Sequence, residues 1–198
     1  GQFKEPFSLD ELTSSKYITF MERGLPNDLA PGRNAGIMIG NHILDQRMTW
    51  ATGLFYQVDD YGAAQQDSGA AFTSRITGLP WYEDDGAKLL HLGLAYSLRD
   101  SDDSNTVRYR ARPEAHFTKR FTDTGSFAAD MTQLFGAEAA LVCGPFSLQS
   151  EYIGASVTGT DDGVGSPMFN SFYVQGSYFL TGENRNYNRK KGAFDRLR

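Results

Sequence analysis

The chain has no run of about 18 apolar residues, which excludes a transmembrane helix. A membrane-spanning β-strand survives that test. Only alternate residues of such a strand face lipid, so average hydropathy stays low; the mean hydropathy here is −0.44. Cysteine is almost missing. The lone Cys143 has no internal partner, so no disulfide framework exists and the redox compartment stays undecided. A basic excess is missing too. The 19 Lys and Arg residues against 24 Asp and Glu give a net charge of −5, which argues against a nucleic-acid binder. The sequence shows no initiating methionine, no secretory signal and no closing aromatic strand. It opens as though in mid-strand and ends on a basic stretch from Arg189 to Arg198. The expectation is an internal piece of a longer chain.

Catalytic signatures are also lacking. Neither a P-loop nor a GxSxG nucleophile elbow occurs, and His42, His91 and His116 are widely spaced without a metal-ligand pattern. The paired acids Asp84-Asp85, Asp102-Asp103 and Asp161-Asp162 stand in turns, where Asp is favoured for backbone reasons. Asp161-Asp162-Gly163 lacks the ligand spacing of a calcium loop. The reading is therefore a protein that is not an enzyme and implies neither metal nor cofactor.

What is present is alternation. Glycine (21 residues) and aromatics (13%) favour strands with tight turns. In residues 35–43, Ala35, Ile37, Ile39 and Ile43 share one face, with Gly36, Gly40 and His42 opposite. Trp50, Leu54 and Tyr56 share a face in 48–57, and Ala70, Phe72 and Ile76 do so in the next strand, opposite Ala71, Thr73, Arg75 and Thr77. An acidic loop from Asp59 to Asp67 separates those two. Trp81 and Tyr82 stand in a turn from Pro80 to Gly86. Residues 88–99 alternate most clearly, with Leu90, Leu92, Leu94, Tyr96 and Leu98 on one side. A Gly144-Pro145 corner joins 133–143 to 146–157, and 168–181 places Phe172, Val174, Tyr178 and Leu180 outward. Seven or more segments of this length suit tilted strands crossing a bilayer. The opposite faces read as small and polar.

Alternation alone also fits a soluble β-sandwich, such as a carbohydrate-binding module using exposed Trp and Tyr. Long loops alternating with short turns favour a transmembrane barrel. With Leu44–Arg47, Glu83–Ala87 and Cys143–Pro145 as short turns on one side, residues 100–132 must leave and return on the other. They form a long external loop. A hydrolase using paired acids is the weakest rival.

Two stretches carry candidate chemistry. If residues 107–117 are extended, Arg108, Arg110 and Arg112 project to one side at intervals of roughly 7 Å, with Val107, Tyr109, Ala111 and Phe117 on the other. Such a row can pass an oxyanion from one guanidinium fork to the next. An Arg-rich edge that is merely solvated is the plainer alternative. The opening stretch, 1–33, is broken at Pro6 and lacks a period of two, yet is too aromatic and aliphatic for disorder. Lys4, Lys16, Arg23 and Arg33 supply positive charge there, and Ser14 and Ser15 supply hydroxyl donors for phosphate oxygens. Arg75 adds a cation to an inward strand face.

The strings GQFKEP, LTSSKYITFMER, APGRN and RYRxRPEAH resemble the phosphate-selective porins of Gram-negative outer membranes, the O/P type. The resemblance covers nearly all of this chain and the middle of a complete porin. It implies an all-β, antiparallel transmembrane β-barrel, with sixteen strands in the complete protein, assembled as a homotrimer in the outer membrane. It implies passive diffusion of anions, phosphate or polyphosphate, through an arginine- and lysine-lined pore, with lipid as the surrounding partner and no nucleic acid. By the same resemblance, residues 1–33 form the constriction loop, Ser14-Ser15 with a basic residue form the central site, and Arg108, Arg110 and Arg112 form an arginine ladder on its outer side. Asp10 and Glu11 precede the serines. Carboxylates there would weaken phosphate binding, so anion permeation is the firmer expectation than phosphate specificity. Inward Glu138 and Glu151 are expected either to pair with arginines or to line the lumen.

Overall fold

The computed structural model describes residues 1–58, 69–101, 106–113, 115, 117–159 and 165–197. The acidic stretch Asp59 to Asp67, Asp102-Asp103, Glu114, His116 and Asp161-Asp162 lie outside the described residues.

The strands in chain order are β1 (Gln2–Lys4), β2 (Arg33–Ile43), β3 (Met48–Tyr56), β4 (Ala70–Glu83), β5 (Lys88–Asp100), β6 (Thr106–Val107), β7 (Arg110–Ala111), β8 (Thr122–Asp123), β9 (Phe127–Ala128), β10 (Met131–Cys143), β11 (Phe146–Thr158), β12 (Met168–Tyr178), β13 (Tyr187–Asn188) and β14 (Ala193–Phe194). A short helix, α1 (Leu9–Leu12), and a 3-10 turn (Leu25–Asp28) lie between β1 and β2. Eight strands form one sheet in the order β1-β2-β3-β4-β5-β10-β11-β12, and every pairing is antiparallel. The sheet is open rather than closed on itself. No helix is long and apolar enough to cross a membrane among the described residues.

The face rule from the sequence holds strand by strand. Ile37, Ile39, Leu54, Leu94, Phe172 and Val174 are all more than half exposed on one side. That side is apolar, and among the described residues no second sheet of similar size covers it. The soluble sandwich is therefore not the architecture. The opposite side is buried under segments of the same chain, and its make-up differs from the small, polar face expected. Leu79, Leu89 and Val142 form one apolar patch there; Leu134, Ile153 and Ala155 form another. Each patch is where an inserted segment lands.

The 80–86 turn also differs from expectation. β4 runs on to Glu83, with a register shift between Gly78 and Trp81. Proline has no N–H for the ladder, so a bulge at Pro80 accommodates it without ending the strand. Only Asp84 to Ala87 make the turn. β5 and β10 pair along their full length, Lys88 opposite Cys143 and Asp100 opposite Met131. Residues 101–130 therefore leave and return at one edge of the sheet, as the turn parity requires.

Candidate functional site

Three segments enter the concave side of the sheet. Residues 5–32 enter first, from the same edge as residues 101–130. Glu5, Phe7, Ser8, Leu9, Asp10 and Thr13 are all buried. Ser8 caps α1, its Oγ accepting from Glu11 N at 3.1 Å. The start of α1 then docks on a wall carboxylate. Glu151 of β11 accepts from Ser8 Oγ at 2.7 Å, Leu9 N at 3.0 Å, Asp10 N at 2.7 Å and the Tyr173 hydroxyl at 2.7 Å. Those backbone N–H groups are among the donors a helix start leaves unpaired, and they seat a buried carboxyl group. Phe7 packs on Leu134, Ile153 and Ala155. Gly24 is required where it stands, since a Cβ there would sit 2.6 Å from the Tyr173 ring.

Glu5 anchors the very start of this segment. It accepts from Asn34 Nδ2 at 2.6 Å, from Arg99 at 2.9 Å and from the Thr73 hydroxyl. Nothing local in the sequence marks Glu5 as an anchor, because Thr73 and Arg99 are distant in the chain.

The acids Asp10 and Glu11 are neutralised within the loop. Glu11 pairs with Lys4 Nζ at 3.0 Å and with Arg23 Nε at 3.3 Å. Asp10 Oδ2 accepts from Gly24 N at 3.1 Å, with Arg23 alongside. Arg23 also donates to the Thr13 carbonyl at 2.9 Å and to the Asp10 carbonyl. Burial pushes the Asp10 carboxyl above its ordinary value, with the Gly24 N–H and Arg23 opposing. These carboxylates stitch the loop together.

The third segment, 181–195, enters from the opposite edge and ends in the β13–β14 hairpin. Tyr187 OH lies 2.6 Å from His91 Nδ1, and His91 Nε2 lies 2.9 Å from Glu138 Oε1. Arg75 Nε donates to the same Glu138 oxygen at 2.9 Å, and its NH2 donates to the Gly192 carbonyl at 2.7 Å. Gly93 leaves room for this network; a Cβ there would fall 2.2 Å from Glu138 Oε1. Arg185 donates to Gln149 at 2.8 Å and covers the Phe194 ring at 3.6 Å. Tyr187, Ala193 and Phe194 share one apolar cluster with Leu9 of α1, with Leu12 packed against it. The two inserted segments thus meet inside the concavity.

Two cavities beside that plug have basic linings. One, of about 760 Å³, is lined by Ser15, Arg23, Arg108, Arg110, Arg112 and Arg120, with Glu22 and Asp28. The other, of about 850 Å³, is lined by Lys4, Ser14, Tyr17, Arg75, Lys190 and Lys191, with Asp195. The adjacent serines therefore face different cavities instead of one shared site. Lys16 and Arg33 are exposed and line neither.

The three arginines named as a ladder do share one cavity, but they are not equivalent. Arg108 grips Asp123 with two bonds, Nε–Oδ1 at 2.8 Å and NH2–Oδ2 at 2.6 Å. This pairing holds the Asp123 carboxyl below the usual carboxylate range. Arg110 is exposed, and Arg112 carries a buried Nε with no hydrogen-bond partner among the described residues. Tyr109 turns to the other side and packs on Phe169 with ring centroids 4.8 Å apart. Sequence reading missed Arg120, although it lies in the same basic loop. It also left open the role of Arg185, Arg189, Lys190 and Lys191; the long-range contacts of the 181–195 segment assign it.

Comparison with known proteins agrees with this geometry. The family described as "Phosphate-selective porin O and P" matches residues 1–197. Porin O of Pseudomonas aeruginosa is 28% identical over 222 aligned positions, covering 100% of this chain and 49% of that protein. An uncharacterized protein of Caulobacter vibrioides is 32% identical over 213 positions, covering 98% of this chain and 40% of that protein. The chain spans half or less of the length of these curated relatives.

Proposed function

The chain belongs to the phosphate-selective porin O and P family, and from that premise we propose that it forms part of an outer-membrane channel for passive diffusion of anions. Phosphate is the physiological anion in this reading, with polyphosphate as a longer form of the same chemistry. The complete protein is a homotrimer of sixteen-stranded barrels in the outer membrane of a Gram-negative bacterium. It performs no chemical step.

One observation carries the reading: cations outnumber acids along both cavities. Glu5, Asp10, Glu11, Glu138 and Glu151 each accept bonds from neighbouring groups and are buried or nearly so. Arg23, Arg108, Arg110, Arg112 and Arg120, against Glu22 and Asp28, border one open cavity, and Lys4, Arg75, Lys190 and Lys191, against Asp195, border the other. An overall charge of −5 is thus compatible with a locally positive path, since field strength in a narrow cleft follows the lining and not the total. Several moderate arginine sites suit conduction, because the ion must leave as well as enter. The apolar outer face meets lipid.

Current through the full-length protein in a planar bilayer tests this. Added phosphate is expected to block chloride current, and Arg110→Ala is expected to weaken that block by about tenfold, the loss of one charge-assisted pair. A block of unchanged strength in Arg110→Ala would remove Arg110 from the path. A protein that stays monomeric and soluble without detergent would overturn the porin reading itself.

A further inference from the structure

We propose that the outward face of β4 carries a glycerophospholipid site, in which one acyl chain lies in a groove at Gly78 and Pro80 and its phosphate meets Arg47. The proposal rests on the outer face meeting lipid and goes beyond it, since most of that face is simply ridged with large side chains. Here the ridge is interrupted. Gly78 points outward between Met48 of β3 and Leu92 of β5, and a Cβ there would meet nothing within 4 Å. The ladder shifts register just beyond it. The result is a groove of about 800 Å³, bounded by Ile76, Pro80, Leu92 and Leu94, within the size range of ligand pockets (roughly 300–1,000 Å³).

The mouth of the groove has a matching charge. Arg47 lines it at the end nearest the β2–β3 turn. Among the described residues, its guanidinium has one weak bond, 3.4 Å to the Tyr82 carbonyl, and no carboxylate partner. The neighbouring cations at that end differ: Lys88 pairs with Asp84 at 2.8 Å, and Arg189 reaches the Asp45 carbonyl at 3.0 Å. An arginine left unpaired at the edge of an apolar slot complements a lipid phosphate above an acyl chain. Short turns of such barrels lie on the periplasmic side, so the ligand here is an inner-leaflet phospholipid.

Native mass spectrometry of the full-length protein in detergent, with phosphatidylglycerol added, tests the site. The unaltered protein is expected to retain one lipid per chain. Gly78→Leu fills the groove and is expected to lower retention by about tenfold; Arg47→Gln removes the cation and is expected to lower it by about fivefold. Gly176→Leu is the control, because Gly176 is outward on β12 with space around it, and it is expected to change nothing. No lipid on the unaltered protein, full retention in Arg47→Gln or in folded Gly78→Leu, or equal loss in Gly176→Leu overturns the proposal. Anion conductance measured on the same samples separates failure of this site from failure of the pore.

Discussion

The two long connections that enter from the same edge differ in how they are held. Residues 5–32 are fixed by buried carboxyl groups: Glu151 receives four bonds from the start of α1 and Tyr173, and Glu5 receives four from Asn34, Thr73 and Arg99. Residues 101–130 are held by two-residue ladders, β6 with β9 and β7 with β8, and by exposed pairing of Arg108 with Asp123. In the proposed channel the first connection would set the width of the path, which needs rigidity, and the second would present charge to an arriving ion, which needs accessible guanidinium groups. The same residue types thus act as buried fasteners in one loop and as exposed contacts in the other.

The contrast breaks most severely at Glu151. Glu151→Ala leaves Ser8, Leu9 and Asp10 donors buried without their acceptor, a loss of roughly 3 kcal/mol or more in loop docking. Proteolysis between residues 10 and 30 is expected to become rapid and single-channel current to become noisier and larger; unchanged protease resistance would refute the anchor. Next in size is Arg110→Ala with Arg112→Ala. Anion preference is expected to fall while protease resistance of residues 5–32 stays unaltered, since the Glu5 and Glu151 anchors of that loop are kept.

A smaller effect is expected at Asp123→Asn, which releases Arg108 to the cavity. Phosphate block is expected to strengthen by about threefold, in the range of a surface ion pair. The pH response sharpens the comparison further. The Asp123 carboxyl titrates below its ordinary value when folded, so its pairing is present above the unfolded value of about 3.9 and is lost only as pH falls through the lower folded value. Block by a permanently charged anion such as sulfate is therefore expected to show no step from this pair between about pH 8 and 5. Asp10 has the opposite sign. Its folded value is raised, so its contribution is fullest in acid and declines as pH rises through that raised value. Mild acidification is expected to tighten the loop at Asp10, read as slower proteolysis, and Asp10→Asn is expected to abolish that response.

Much of the sheet was legible from alternation, because a period of two places a side chain whatever its distant partners. Ile37, Leu54, Leu94 and Phe172 face outward as the pattern requires. The return of 101–130 to the edge it left followed from counting turns. The concave side was much less legible. Apolar inward residues such as Leu134 and Val142 break the expected polar face, and their reason lies in segments far along the chain, Phe7 and Phe194. The hairpin at 187–194 was hidden for the same cause. Its bond to His91 spans 96 positions, and no local signal announces such a contact. Ser14 and Ser15 read as a pair from adjacency, yet successive side chains in an irregular turn diverge, and each faces its own cavity.

The excess of cations over acids along the two cavities is tested most directly by reversal potential. The full-length protein in a planar bilayer under a tenfold KCl gradient is predicted to give a potential of the sign set by chloride. Cation preference under the same gradient would contradict the account.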